Sequence, residues 1–359
     1  MKKFFRFLIL IIVAIIIYIF FNAQDIPTLK PLAFNPPPAP EMTGRLQPND
    51  LLQSAVRLLE GQVSGPEDVI RDSKGNLFIS NSDGTIYKYT STGELIPFFR
   101  SAGRPLGLAL DSKENLIVCH TSLGLISLSP TGEMSILINN GNQFHLIDDL
   151  TISSDDVVYF TDASSLGELE SFYFDILLHH PLGSVWGYDL KTGELSKIID
   201  ELYFANGIQL SIDESYLLVN ETSAYRIRKV WLHGYKRGES EIFMDNLPGF
   251  PDGLDKSTPG TYWVSMASPR KKEVDTIYHP RPWLKKVLMY LPDLLRPSPT
   301  PYGLILRIDM SGNILNSYHD TTGEILWSIT NVFEHEGYLY LGSLFNDAVG
   351  VWEIPQNTY

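Results

Sequence analysis

Four oxygen-bearing side chains, Glu67, Asp148, Asn206 and Asp252, stand at equivalent places in this 359-residue chain. Each begins a run that turns apolar: Glu67-Asp68-Val69-Ile70, Asp148-Asp149-Leu150, Asn206-Gly207-Ile208 and Asp252-Gly253-Leu254. Taken singly, such a residue caps a turn before a strand. Taken together, they are a donor set. Three carboxylates and an amide converging on one axis would repel or protonate one another unless a cation sat among them. Hard oxygen donors without Cys or His point to Ca2+ first, then to Mg2+ or Mn2+.

Such convergence needs a frame that brings distant segments to one axis. The head positions Glu67, Leu106, Asp148, Asn206 and Asp252 are 39, 42, 58 and 46 residues apart. A sixth unit begins at Ile329-Thr330-Asn331-Val332. Each unit holds several short apolar runs separated by turn residues. Repeats of about forty residues with several short strands each signal a β-propeller. One small twisted sheet cannot bury both faces alone, whereas stacked blades bury them against each other. The expected fold is therefore all-β, a six-bladed β-propeller over residues 51–359, preceded by an N-terminal transmembrane helix. The last unit lacks an obvious fourth strand, which residues 51–63 can supply. Two insertions exceed the repeat, 164–183 and 268–302. The insertions read as lids or as padding of one face, and the second carries an amphipathic helix around Trp283 that also reads as a membrane contact.

Composition narrows the function. Aromatics make up 12% of the chain, and 27 Gly and 23 Pro punctuate it, as suits an all-β protein with many turns. A net charge of −14 argues against a nucleic-acid partner, which requires a basic surface. The single cysteine, Cys119, excludes an intrachain disulfide and reads as a buried strand residue. Residues 1–21 read as a signal anchor. Lys2, Lys3 and Arg6 flank an apolar run that reaches Phe21, and the 18 residues from Phe4 would span about 27 Å as a helix. The positive flank keeps the N-terminus cytoplasmic and puts the propeller on the periplasmic, lumenal or extracellular side of the membrane. Residues 22–50 form a Pro-rich linker.

Several stretches carry a specific resemblance: Gly65-Pro66-Glu67-Asp68, Gly103-Arg104-Pro105-Leu106-Gly107, Val158-Tyr159-Phe160-Thr161-Asp162, Ala205-Asn206-Gly207, Pro248-Gly249-Phe250-Pro251-Asp252 and Glu334-His335-Glu336-Gly337. With them the chain resembles the strictosidine synthase-like family of calcium β-propellers, and more distantly paraoxonases and gluconolactonases. The resemblance runs from Gly65 to nearly the end. It implies a central divalent cation held by Glu67, Asn206 and Asp252, with Asp148 where relatives often have Asn. Gly253 stands where paraoxonases have an Asn, and Asp68 and Asp149 become supporting groups or ligands of a structural metal.

The departures bear equally on function. The second head is Leu106, where paraoxonases have a His. The strand Leu326 to Phe333 lacks the Glu that strictosidine synthases use, so amine–aldehyde condensation is not supported. The expected activity is Ca2+-dependent hydrolysis of a small aryl ester or lactone, with Asp252 as catalytic base. The alternative is a non-catalytic binding module with a structural calcium. His335, His179 and His180 are weaker base candidates, and the sequon at Asn220 reads as an unglycosylated strand position.

Overall fold

The alternating runs form short antiparallel strands whose two faces are both apolar. The computed structural model describes Arg6 and residues 27–355, apart from 142, 168–171 and 258–259. Among these residues the strands group into six four-stranded sheets. The first sheet is β2 (Val69–Arg71), β3 (Leu77–Ser80), β4 (Thr85–Tyr89) and β5 (Leu95–Arg100). The second is β6 (Pro105–Leu110), β7 (Leu116–His120), β8 (Gly124–Leu128) and β9 (Met134–Asn139). The third is β10 (Ile147–Ile152), β11 (Val157–Asp162), β12 (Gly183–Asp189) and β13 (Leu195–Leu202). The fourth is β14 (Ala205–Leu210), β15 (Tyr216–Glu221), β16 (Arg226–Trp231) and β17 (Ser240–Met244). The fifth is β18 (Gly249–Ser257), β19 (Thr261–Pro269), β20 (Gly303–Asp309) and β21 (Ile314–Asp320). The sixth joins β22 (Ile329–His335), β23 (Tyr338–Ser343) and β24 (Val349–Glu353) to β1 (Val56–Leu58).

The expected closure is present. Val56 pairs with Val351 and Leu58 with Val349, so the start of the propeller completes its last blade. The core is distributed over the junctions between blades. In β7, Leu116 and Val118 pack toward Phe78 and Ile86 of the first blade, while Ile117 and Cys119 pack toward Val158 and Phe160 of the third. This is the two-residue strand period used on both faces. Trp263 and Tyr318 meet Leu341 and Trp352 at the fifth junction, and Val69 and Ile79 meet Leu59 and Val349 where the ring closes.

Because antiparallel strands alternate in direction, the connections between second and third strands all lie at the end where the innermost strands begin. Both insertions are such connections. The first contains α1 (Phe172–Leu178), and the second contains α2 (Pro282–Met289), the helix expected around Trp283. The two helices touch through Leu177, Leu178, Leu288 and Met289.

Residues 30–41 of the Pro-rich segment form neither helix nor strand and Gly44–Leu46 forms one 3-10 turn; Leu32 and Phe34 lie on this end of the propeller. Leu32 N donates to Leu178 O at 2.9 Å and Phe34 N to His279 O at 2.9 Å, so the segment stitches both insertions together. Phe34 stacks on His179 with ring centroids 3.8 Å apart and meets His279 edge-on. Burial, with Lys285, His179 and Arg270 nearby, lowers the His279 pKa to about 2. Its unfolded value lies near 6.5, so below that pH the unfolded chain takes up a proton that the folded chain refuses, and stability falls with acidification. Between pH 6.5 and 5 this amounts to about 1.6 kcal/mol. His279→Gln, which does not titrate, is expected to lose about 1.6 kcal/mol less than the wild type over that interval by urea denaturation.

Among the described residues no helix is long and apolar enough to cross a membrane. The expected anchor, 1–21, lies outside the described residues apart from Arg6.

Candidate functional site

Five of the six innermost strands open with a disturbance of their ladder. The pairing slips between Pro105 and Leu108, Ile147 and Leu150, Ala205 and Ile208, Pro251 and Leu254, and Ile329 and Val332. A bulge places two consecutive residues opposite one and re-aims their side chains. The bulged pairs are Leu106-Gly107, Asp148-Asp149, Asn206-Gly207, Asp252-Gly253 and Thr330-Asn331. Glu67-Asp68 occupies the same place just before β2.

The four predicted heads come together. Glu67, Asp148, Asn206 and Asp252 line one narrow opening with Leu106, Thr330 and Asn331, and the same four form the floor of a cavity of ≈ 350 Å³ above it. Burial first, then neighbouring carboxylates, raise the pKa values of Asp148 and Asp252 well above the ordinary range. The Asn206 amide, bonded to Asp252, opposes the shift there. Burial raises Glu67 too, while Arg104 counters it. Arg104 Nη2 donates to Glu67 Oε2 at 2.5 Å and to Gly65 O at 3.0 Å.

The adjacent residues clamp the blades. Asp68 Oδ2 accepts from Leu108 N at 2.6 Å, and Asp149 Oδ2 accepts from Ile208 N at 3.0 Å, each reaching from one blade to the next. Asn220 Nδ2 donates to Asp252 O at 2.6 Å and Thr222 Oγ1 to Pro251 O at 2.7 Å, so β15 holds the backbone that presents Asp252. Asn220 is fully buried, as its unglycosylated reading requires. Gly253 admits no side chain, since a Cβ there would lie 2.3 Å from Thr330 O. Gly253→Ala is expected to destabilise the fold by about 1–3 kcal/mol through overpacking. Calorimetry should show this as a melting point several degrees lower.

Among the described residues, no three Asp, Glu, His or Cys side chains already close into a metal cage. The donor chemistry nevertheless fits a divalent cation. The three head carboxylates, all raised in pKa by burial, have the Arg104 guanidinium on Glu67 as their positive neighbour, so ionising all three calls for more positive charge than the chain places there. Asn331 Oδ1, which sequence reasoning passed over, is buried beside them without a hydrogen-bond partner. Its signal was register: Thr330-Asn331 precedes Val332 as Glu67-Asp68 precedes Val69. Arg104 was visible only as part of a motif and carried no assigned role.

The histidines lie elsewhere. His335 ends β22 at the opposite end of the channel, against Arg71. His179 is sandwiched between Phe34 and Tyr203, and His180 bonds Lys30 O at 2.8 Å. Cys119 is fully buried, and burial together with nearby Asp149, Asp148 and Asp68 pushes its thiol pKa well up, so it is not a nucleophile.

The cavity above the heads is mostly apolar. Phe172, Ile176 and Leu177 of the first insertion and Val274, Tyr278 and Leu288 of the second form its upper wall. Phe204, Phe250 and Phe345 line its sides, and Lys271 and Ser298 are among its few polar groups. Both insertions therefore roof the site.

Comparison with known proteins agrees with this architecture. The Strictosidine synthase family profile matches residues 148–235, and the Strictosidine synthase-like, N-terminal, profile matches residues 44–89. The chain is 34% identical over 339 residues to adipocyte plasma membrane-associated protein of Bos taurus, covering 88% of this chain and 81% of that one. A gluconolactonase from Xanthomonas campestris superposes with a TM-score of 0.61 at 16% identity, covering 92% of this chain and 98% of that one. The calcium-binding protein regucalcin from Agrobacterium tumefaciens gives 0.56 at 14% identity, with coverages of 83% and 94%. At these identities the structural likeness concerns the fold. Identity over most of the chain, with the matched profiles, places this protein in the strictosidine synthase-like family, together with the adipocyte plasma membrane-associated proteins.

Proposed function

We propose that the protein is a membrane-anchored, divalent-cation-dependent hydrolase of small apolar esters or lactones, with Ca2+ as the preferred ion. One observation carries the reading. Glu67, Asp148, Asn206 and Asp252, an all-oxygen donor set, form the floor of an apolar, ligand-sized cavity. The gluconolactonase and calcium-binding regucalcin among the fold neighbours support it. When bound, a divalent cation supplies Lewis-acid polarisation of the substrate carbonyl.

The chain's own residues do the rest. Glu67, Asp148, Asn206 and Asp252 would hold the ion, and Arg104 fixes the Glu67 carboxylate. The aromatic and aliphatic walls hold the acyl part and exclude bulk water. Asp252 takes a proton from the attacking water. That water oxygen bonds the carbonyl carbon, the ester C–O bond breaks, and the proton passes to the departing oxygen. Among the described residues no histidine lines the cavity, and of its carboxylates the resemblance to gluconolactonases implies Asp252 as the base. The Leu106 head favours the competing reading, a binding module in which the cation only braces the blades.

Anchoring by residues 1–21 is supported by the apolar run itself and by relatives named as plasma membrane-associated. In this reading the N-terminus is cytoplasmic and the propeller lies across the membrane. The hydrolase test is turnover of phenyl acetate and a lactone panel with calcium, then after chelation. Chelator-sensitive turnover, restored by calcium, is expected. Absence of turnover, with chelation lowering only the melting point, would identify the binding module.

A further inference from the structure

The roof of the cavity has an outer surface that the fold leaves uncovered. On it Trp283 is 65%, Val287 49% and Leu294 94% exposed, and Ile277 and Leu295 are exposed as well. Helix α2 directs Leu288 and Met289 inward while turning Trp283 and Val287 out, so it is apolar on both sides. A soluble surface helix normally presents polar residues outward. Charge marks the same region. Residues 268–302 contain seven Lys and Arg against three Asp and Glu, in a chain whose net charge is −14. Lys272, Arg281 and Lys286 are exposed among the apolar groups. Large apolar side chains with Trp and a basic surround are the composition of a segment that lies in the interfacial region of a bilayer.

The path of the N-terminal segment points to the same partner. Lys285 Nζ donates to Leu32 O at 2.7 Å, and Leu32 N to Leu178 O, so the chain arrives at the propeller directly beside α2. The apolar run ends at Phe21, eleven residues before Leu32. Eleven residues reach at most about 40 Å when fully extended. A tether that short, attached at this face, turns this face toward whatever holds the apolar run.

We propose that the exposed face of the 268–302 insertion rests in the headgroup region of an anionic bilayer, with Trp283, Val287 and Leu294 dipping below it. The cavity roof then lies against the lipid. In combination with the hydrolase reading, on which this extension rests, the substrates are esters or lactones that partition into the bilayer. The surface itself is tested without turnover, so failure of either reading can be told from failure of the other.

The full chain is reconstituted with vesicles of phosphatidylcholine and phosphatidylserine. Trp283→Cys and Tyr235→Cys are each labelled with an environment-sensitive dye. Cys119 is buried, so the label goes to the introduced thiol. Tyr235 is 94% exposed in the β16–β17 connection, at the opposite end of the propeller, and serves as the control. Both side chains are exposed, so both variants should melt like the wild type. Ile277→Cys provides a second probe of the face if Trp283→Cys does not fold.

The label at 283 should be quenched by spin-labelled lipid and shielded severalfold from iodide, whereas the label at 235 should show the reverse. Equal iodide quenching at the two positions overturns the proposal. Shielding at 283 without lipid quenching also overturns it and assigns the face to a second copy of the chain.

Discussion

Asp252→Asn is expected to lower turnover of phenyl acetate by about 10²–10⁴-fold, the range that a positioned general base contributes. The stability change should have the opposite sign to that of ordinary site damage. Asp252 is raised in pKa by burial and by Glu67, Asp148 and Asp149, so its charge is unfavourable where it stands. An amide keeps the shape and removes that repulsion. In chelator the variant should therefore melt at or above the wild type. With calcium at a hundred times its Kd, the wild type should gain about 2.7 kcal/mol, and the variant less because one anionic ligand is gone. Melting curves with and without calcium, beside steady-state rates, separate these contributions. Unchanged rates in a variant that still responds to calcium would remove Asp252 from the base role.

Truncation through residue 63 is expected to abolish folding. It deletes β1, whose pairing with β24 closes the ring. It also removes Leu52, Leu59 and Val63, all buried at the closing junctions. At about 1.5–3 kcal/mol for each large apolar side chain, the loss is roughly 5–9 kcal/mol before the unpaired edge of β24 is considered. That is comparable to the whole stability of an ordinary domain. Truncation through residue 26 leaves every described contact of residues 27–355 intact and should give a cooperative melt. Circular dichroism of the two truncated chains makes the comparison.

The propeller was legible because its signal is repeated. Each unit places a short head before an apolar run, polar in five of the six units and Leu106 in the second. The closing strand was legible by arithmetic, since the sixth unit lacked a strand and residues 51–63 were left over. Asn331 was harder to see because an amide after Thr330 looks like a turn residue until its blade is set in register with the others. The cavity walls could not be read at all. Phe172 and Leu288 are 116 positions apart in sequence and share a wall only because both insertions are connections at one end of the ring. The Pro-rich segment read as an extended linker, but nothing in Phe34 alone said that it would stack on His179.

Local pattern thus determined the strands, the number of blades and the identity of the four head residues. Strand period and turn chemistry act over a few residues and are written directly in the chain. Tertiary structure decided what those residues face. The bulges that turn Asp148 and Asp149 to their places, the Arg104 contact that restrains Glu67, and the packing of Phe34 between the two insertions all arise from packing between segments far apart in sequence. Such contacts exist only once the ring has closed, because closure is what brings the six strand ends within reach of one another.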